Sequence, residues 1–121
     1  MNFKFNHNNL NVRDLEKSIQ FYKDALGLTV VREKDAADGS FKLVYLGDGS
    51  SVHQLELTWL RDMDRPYDLG DNEIHLAFTV DDMDAANVHA HSSRGSYHPC
   101  SWHCASLSMN AIATLNFSFT K

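Results

Sequence analysis

Two histidines and one glutamate have side chains and a placement suited to binding a divalent metal ion. His7 and His75 each open a copy of one pattern, His-x-x-apolar-x-Val-x-Asp-apolar, and the copies are offset by 68 residues. Glu56 lies in a third segment, where apolar and polar residues alternate. Imidazole nitrogens and carboxylate oxygens are common ligands of zinc, so these three residues are the candidate metal ligands.

The repeated pattern indicates a duplicated supersecondary unit. In each copy, a short alternating segment predicts a strand that carries the histidine. An aspartate follows, Asp14 in the first copy and Asp82 in the second. Its carboxylate can accept hydrogen bonds from the unpaired N–H groups of a helix's first turn. Each unit is therefore expected to begin with a strand followed by a helix.

The first unit has enough patterned sequence for three more strands. The helix after Asp14 carries an apolar stripe and ends at Gly27. The predicted strands of this unit cover residues 3–12, 28–32, 41–46 and 52–59. Together these elements give the order β-α-β-β-β.

A polar linker with Pro66 and Gly70 is predicted over residues 60–72. After it, residues 74–80 predict the strand that carries His75 and leads to the second helix. The periodicity fades after about residue 89, and no element is predicted there.

Each candidate ligand lies on the more polar face of its predicted strand. Glu56 alternates with Leu55 and Leu57, and His75 alternates with Leu76. A curved sheet with one face against helices and the other lining a polar cup around a metal ion has this pattern. A sheet whose polar face meets water has it as well, so alternation alone leaves both interpretations open.

Composition and charge argue against two classes of partner. The net charge is −5 and no run is rich in Lys or Arg, which argues against nucleic-acid binding. No apolar stretch reaches the length of a transmembrane helix, and the first residues, Met-Asn-Phe-Lys-Phe, lack the apolar core of a signal peptide. We therefore expect a cytoplasmic protein of one domain with no membrane partner.

The residues from His7 to Tyr22, followed by Leu-Gly-Leu at 26–28, resemble the opening of the vicinal oxygen chelate superfamily. Leu-Glu-Leu-Thr at 55–58 is similar to its second ligand strand, and Glu-Ile-His-Leu-Ala at 73–77 to its third. The resemblance extends from residue 5 to about residue 86. The order His, Glu, His most resembles glyoxalase I, the lactoylglutathione lyase family.

The resemblance implies an α+β fold of paired βαβββ modules, the glyoxalase/bleomycin resistance/dihydroxybiphenyl dioxygenase fold. Residues 1–121 would form a single vicinal oxygen chelate domain. Residues 1–60 would be the first module and residues 73–121 the second, which diverges after about residue 86 and can be incomplete. The resemblance also implies a homodimer with metal sites between the subunits. One subunit would supply His7 and Glu56, and the other His75.

The activity implied by the resemblance is a lyase reaction that depends on nickel, cobalt or zinc. The substrate would be a 2-oxoaldehyde, methylglyoxal, joined to glutathione or another thiol as a hemithioacetal, and the product an S-lactoyl thioester. The metal would act as a Lewis acid, and Glu56 would be catalytic by transferring the proton. A catalytically impaired or ligand-binding relative is an alternative, as is another superfamily enzyme such as a dioxygenase or an epimerase. Ring-cleaving dioxygenases do not need a carboxylate at position 56, and methylmalonyl-CoA epimerases usually have Gln there.

The chain departs from the family after the second motif. The family's fourth ligand is a Glu in a motif like Asp-Pro-Asp-Gly-x-x-x-Glu, and the repeat would put it at about position 124. All 16 acidic residues lie at or before Asp84, whereas both cysteines lie after it. We therefore expect this Glu to be missing and hypothesise a frameshifted or replaced C-terminal segment. Coding DNA with no Asp-Pro-Asp-Gly-like product in another frame would contradict the hypothesis.

Two further features bear on ligands. The residues His98, Cys100, His103 and Cys104 are more simply an incidental cluster than a zinc site, because their spacing fits no standard zinc motif. Relatives that use glutathione often carry Arg and Asn at the positions of Asn11 and Leu60. The identity of the thiol is therefore left open.

Overall fold

A computed structural model describes residues 1–68, 75–93, 100–107 and 110–117. The elements, in chain order, are β1 (His7–Val12), α1 (Leu15–Leu26), β2 (Thr29–Asp35), β3 (Phe41–Gly47), β4 (Gln54–Leu60), β5 (His75–Val80), α2 (Met83–Ser93), β6 (Cys100–Leu107) and β7 (Asn110–Phe117). Contacts divide the chain into two compact units, Met1–Tyr67 and Asp68–Lys121. The boundary falls within the polar linker predicted at residues 60–72.

The first unit contains the predicted β-α-β-β-β order. Its four-stranded sheet has the strand order β1-β4-β3-β2. β1 runs parallel to β4, and the other neighbouring strands are antiparallel. β1 begins at His7 rather than at residue 3, because His7 pairs with Gln54, the first residue of β4. Residues 3–6 precede the start of the partner strand and therefore stay outside the ladder.

α1 begins and ends where the sequence predicts because both ends are capped. The Asp14 carboxylate accepts a hydrogen bond of 3.0 Å from the backbone N–H of Lys17. Gly27 has φ 66°, a left-handed conformation in which its N–H bonds back to the Lys23 carbonyl. The buried side chains of the helix are Leu15, Phe21, Tyr22 and Ala25.

The core of the first unit lies on one face of the sheet. Leu46 on β3 and Leu57 on β4 are fully buried, and α1 contacts β4. Successive side chains of a strand point to opposite faces. Tyr45 and Glu56, each next to one of these leucines, therefore lie together on the other face, which the sequence had marked as the more polar one.

An irregularity in β2 changes which residues reach this polar face. The pairing of β2 with β3 shifts between Val30 and Arg32, so that Arg32 lies opposite Tyr45. In an unshifted ladder, Val31 would take that position and Arg32 would point to the other face. The sequence predicts a shorter strand at residues 28–32 and gives no sign of the shift.

The second unit repeats the first with one strand fewer among its described residues. Its three-stranded sheet has the order β5-β7-β6, with β5 antiparallel to β7 and β7 antiparallel to β6. By chain order, β5, β6 and β7 correspond to β1, β2 and β3 of the first unit. The second sheet then has the strand order of the first sheet without an equivalent of β4. The expectation that the second module can be incomplete agrees with this arrangement. No helix in the described ranges is long and apolar enough to cross a membrane.

Candidate metal centre

One row of side chains crosses the polar face of the first sheet. Arg32 on β2 lies opposite Tyr45 on β3, and Tyr45 lies opposite Glu56 on β4. Glu56 in turn lies opposite Asn9 on β1. Directly opposed residues of neighbouring antiparallel strands have Cβ atoms roughly 4.5–5.5 Å apart, so Tyr45 can interact with both Arg32 and Glu56.

His7, two residues before Asn9 on β1, meets Glu56 beside this row. The Nε2 atom of His7 is 3.1 Å from Oε2 of Glu56. The other ring nitrogen, Nδ1, lies 2.8 Å from Oδ1 of Asn6. An Nδ1–H that donates to Asn6 leaves Nε2 as the nitrogen directed at Glu56. Metal-bound histidines are held in the same way, with the second ring N–H donated to an oxygen acceptor.

The spacing of these two atoms fits a shared metal ion. In the tetrahedral geometry of zinc sites, bonds of about 2.0–2.2 Å separate a nitrogen and an oxygen ligand by about 3.4 Å. The observed distance of 3.1 Å is that of a direct contact between the two side chains and is close to this separation. His7 and Glu56 therefore have the donor types and the spacing of two adjacent ligands.

Two ligands are fewer than a metal site requires. Catalytic zinc sites use about three protein ligands and structural sites about four. In the part of the chain that the structure describes, no group of three or more His, Cys, Asp or Glu side chains is placed to hold a metal ion. His75 begins β5 in the second unit, where it is exposed and lies opposite Asn116. Its convergence with His7 and Glu56 stays a prediction.

Glu56 is a buried carboxylate, with 8% of its surface exposed. The hydroxyl of Thr58, two residues along β4, lies 2.9 Å from Oε1 of Glu56. The same hydroxyl lies 2.6 Å from Oδ1 of Asn9. A hydroxyl has one proton, so at any moment it donates to one of these two oxygens. The polar face of β4 is thus buried and hydrogen-bonded, whereas the polar face of β1 is exposed.

Tyr45 is a member of the site that the sequence analysis missed. It is 6% exposed. A hydrogen bond with Glu56, the burial of Tyr45 and the negative charge of Glu56 raise the pKa of the Tyr45 hydroxyl, while Arg32 acts in the opposite direction. The Arg32 guanidinium carbon lies 3.7 Å from the centre of the Tyr45 ring, as in a cation–π contact. Tyr45 stands between Val44 and Leu46, so alternation gave no signal for it.

His53 has partners other than Glu56. His53 is half-buried, with Nε2 2.9 Å from Oδ1 of Asn8, and its ring stacks on Phe5 with the centroids 4.7 Å apart. His53 is therefore a packed, hydrogen-bonded histidine. The incidental cluster lies at the edge of what the structure describes. His98 falls outside the described residues, and Cys100, His103 and Cys104 belong to β6.

Comparison with known proteins identifies the class that this fold and site define. The family model of the Glyoxalase/Bleomycin resistance protein/Dioxygenase superfamily matches residues 4–98. The chain belongs to this superfamily, and the α+β fold predicted from the sequence is confirmed.

Within the superfamily the chain is glyoxalase I-like. It is 44% identical over 78 residues to the lactoylglutathione lyase of Neisseria meningitidis serogroup A, across 63% of this chain and 56% of that protein. It is 36% identical over 91 residues to the lactoylglutathione lyase of Haemophilus influenzae, across 74% and 67% of the two chains. The solved trypanothione-dependent glyoxalase I of Leishmania major superposes with a TM-score of 0.68 at 27% identity, covering 88% of this chain and 74% of that one. The chain thus spans a little over half the length of the neisserial relative.

Proposed function

We propose that this chain is a metal-dependent glyoxalase I-like lyase. It would isomerise the hemithioacetal of methylglyoxal and a thiol to an S-lactoyl thioester. The observation that carries the proposal is the approach of His7 Nε2 to Glu56 Oε2, at 3.1 Å, beside the buried polar face of β4. The similarity to lactoylglutathione lyases supports the reaction class.

His7, Glu56 and His75 are the metal ligands in this proposal, and the metal is nickel, cobalt or zinc. His75 comes from a second copy of the chain, as the resemblance to glyoxalase I implies, so the protein acts as a homodimer in the cytoplasm. A bound divalent ion supplies Lewis-acid stabilisation of negative charge on the substrate oxygens.

Glu56 moves the proton in the proposed reaction. The hemithioacetal carbon carries a C–H bond beside a carbonyl group. Glu56 accepts that proton, the C–H electron pair moves into a carbon–carbon double bond between the two oxygen-bearing carbons, and the π pair of the carbonyl group moves onto the carbonyl oxygen. Glu56 then returns the proton to the neighbouring carbon, and the hydroxyl proton passes to that carbon's oxygen, so no atom is lost. General base catalysis of this kind contributes about 10²–10⁴-fold.

Burial of Glu56 suits it to this role. The carboxylate is 8% exposed, so little water competes for the proton that it holds. Thr58 can hydrogen-bond to Glu56 in either protonation state, because a hydroxyl both donates and accepts. The thiol that is joined to the aldehyde stays open.

Metal binding is the first test of the proposal. Purified parent chain should bind about one nickel or zinc ion per site in an isothermal titration. Glu56→Gln, which removes the negative charge and keeps the shape, should weaken binding by at least tenfold. His53→Gln is the matched control, since His53 lies in the same unit away from Glu56, and it should bind like the parent. A parent chain that binds neither metal would overturn the proposal.

A second assay addresses the reaction itself. Methylglyoxal mixed with glutathione, and separately with other small thiols, should yield a thioester in the presence of the metal-loaded chain. Glu56→Gln should lose this activity. Thioester formation that Glu56→Gln leaves unchanged would contradict the role of Glu56.

A ligand-binding role without catalysis is the second candidate function. One observation favours it: residues 85–121 contain no Asp or Glu. A late Glu is a ligand and a base in the family that the chain resembles. If metal binds and no thiol gives product, this second candidate replaces the first.

A further inference from the structure

We propose that Thr58 and Tyr45 are positioning residues, which hold the Glu56 carboxylate so that Oε2 faces His7. The proposed orientation of Glu56 does not depend on the proposed function. Its expected effect on metal affinity does rest on the proposed function.

Thr58 holds one oxygen of the carboxylate. Its hydroxyl lies 2.9 Å from Oε1 of Glu56, and both residues are buried on the same face of β4. Asn9 fixes the hydroxyl from the other side at 2.6 Å. The side-chain amide of Asn9 in turn donates to Oδ1 of Asn11 at 2.9 Å. Thr58 therefore stands between the carboxylate and Asn9 on β1, and its one proton is donated to Oε1 or to Asn9 Oδ1 at any moment.

Tyr45 contacts the carboxylate from the neighbouring strand through a hydrogen bond between its hydroxyl and Glu56. Tyr45 and Glu56 are directly opposed in the antiparallel ladder of β3 and β4, and both are buried. The Tyr45 ring is itself held from two sides. Arg32 lies 3.7 Å from its centre, and the His7 ring packs against it edge-on with the centroids 5.3 Å apart.

These contacts determine which oxygen is left for His7. A glutamate side chain rotates about several bonds, and fixing it costs conformational entropy. The Thr58 hydroxyl contacts Oε1, and Tyr45 contacts the carboxylate from the directly opposed position on β3. Oε2 is then the oxygen directed at His7 Nε2, at 3.1 Å. A pair of ligands oriented before the metal arrives binds it more tightly.

Two nearly isosteric substitutions test the orientation of Glu56 without any metal. Thr58→Val and Tyr45→Phe each remove a hydroxyl and keep the shape and strand propensity of the residue. Thr29→Val on exposed β2 and Tyr22→Phe on α1 are matched controls for the same chemical changes away from Glu56. Circular dichroism would check that each variant folds.

The expected result is seen in crystal structures of the metal-free full chain. In the double variant, Glu56 Oε2 should leave hydrogen-bond distance of His7 Nε2, whereas the double control should keep the contact. If the double variant does not fold, the two single variants are compared instead. A Glu56 carboxylate that stays in place without both hydroxyls would overturn the proposal.

Titration with nickel and zinc measures the consequence. Loss of residues that orient metal ligands weakens metal binding by about 10–100-fold. We expect this loss for the double variant and parent-like affinity for the double control. Equal affinity in both would overturn the consequence for metal binding. A parent chain that binds no metal would overturn the proposed function instead, and the crystal structures would still decide the orientation of Glu56.

Discussion

The burial of the Glu56 carboxylate is not explained by a gain in fold stability. Moving a charged carboxylate out of water is costly unless hydrogen bonds and opposite charge compensate. His7 and Thr58 compensate part of the cost, at 3.1 Å and 2.9 Å from the two carboxylate oxygens. Apolar residues at such positions often give equal or greater stability. A role in metal binding or proton transfer therefore explains the buried carboxylate better than a role in stabilising the fold.

Replacement of Glu56 by leucine should separate these two roles. The free energy of unfolding of Glu56→Leu should be no more than about 1 kcal/mol below that of the parent, and it can be higher, because the buried charge is gone. His7, with 35% of its side chain exposed, can be hydrated after the change. Urea denaturation measures stability, and metal binding should be lost in the same variant. A destabilisation of about 3 kcal/mol or more would show that the carboxylate holds the fold together.

At the scale of elements, α1 depends on its two caps. Gly27 ends the helix with φ 66°, and a Cβ built there meets no atom within 4 Å. Gly27→Ala should therefore lower the free energy of unfolding through backbone strain alone, by about 1–2 kcal/mol. Lys23→Ala in the same last turn is the control and should change stability little. Urea unfolding of both variants measures the difference, and equal stabilities would contradict the strain argument.

The loop between β3 and β4 should make stability depend on pH. The backbone N–H groups of Ser51 and Ser50 donate to the Asp48 carboxylate at 2.7 Å and 2.8 Å and lower its pKa below 3.8. A lowered pKa in the folded state means that Asp48 stabilises the fold above its unfolded pKa. This contribution is lost as the pH falls through the folded pKa.

Asp48→Ala should therefore be less stable than the parent at neutral pH. The difference should shrink as the pH falls below 3.8, the unperturbed pKa of the aspartate. Thermal unfolding of the parent and the variant between pH 7 and pH 3 would measure it. A difference that stays constant over this range would contradict the role of the carboxylate charge.

At the scale of the whole molecule, the departure of residues 85–121 from the family should affect catalysis. This segment contains no acidic residue, so it cannot supply the late Glu that the resemblance implies. We expect the 121-residue chain to form thioester about 10²–10⁴-fold more slowly than the neisserial lactoylglutathione lyase in the same assay. An added segment with the motif Asp-Pro-Asp-Gly-x-x-x-Glu should restore activity, and the same segment with Gln for Glu should not.

A high rate in the unmodified chain would contradict this prediction. With a kcat of about 10 s⁻¹ or more, the reaction would need only Glu56 or a substitute from the tail. The double change His103→Ala with Cys104→Ala distinguishes these two explanations. Sedimentation of the metal-loaded chain at several concentrations would test the proposed homodimer in the same preparation.

The sequence by itself determined the local elements and identified His7 and Glu56, the two candidate ligands that are in contact. Asp14 and Gly27 bound α1 because capping depends only on residues a few positions away. Alternation placed Glu56 on the polar face of its strand because side chains of a strand alternate with period two. The repeated pattern identified His7 as a candidate metal ligand together with Glu56.

Only the tertiary structure decided what surrounds that pair. Arg32 reaches the polar face because the ladder shifts after Val30, and Tyr45 meets Glu56 because of strand register. Register depends on pairing between distant segments, which leaves no period in the sequence of either strand. β6 and β7 escaped prediction for a related reason, since they lie where periodicity fades. Burial of Glu56 also depends on neighbouring strands, which is why alternation could not tell a buried polar cup from a solvated face.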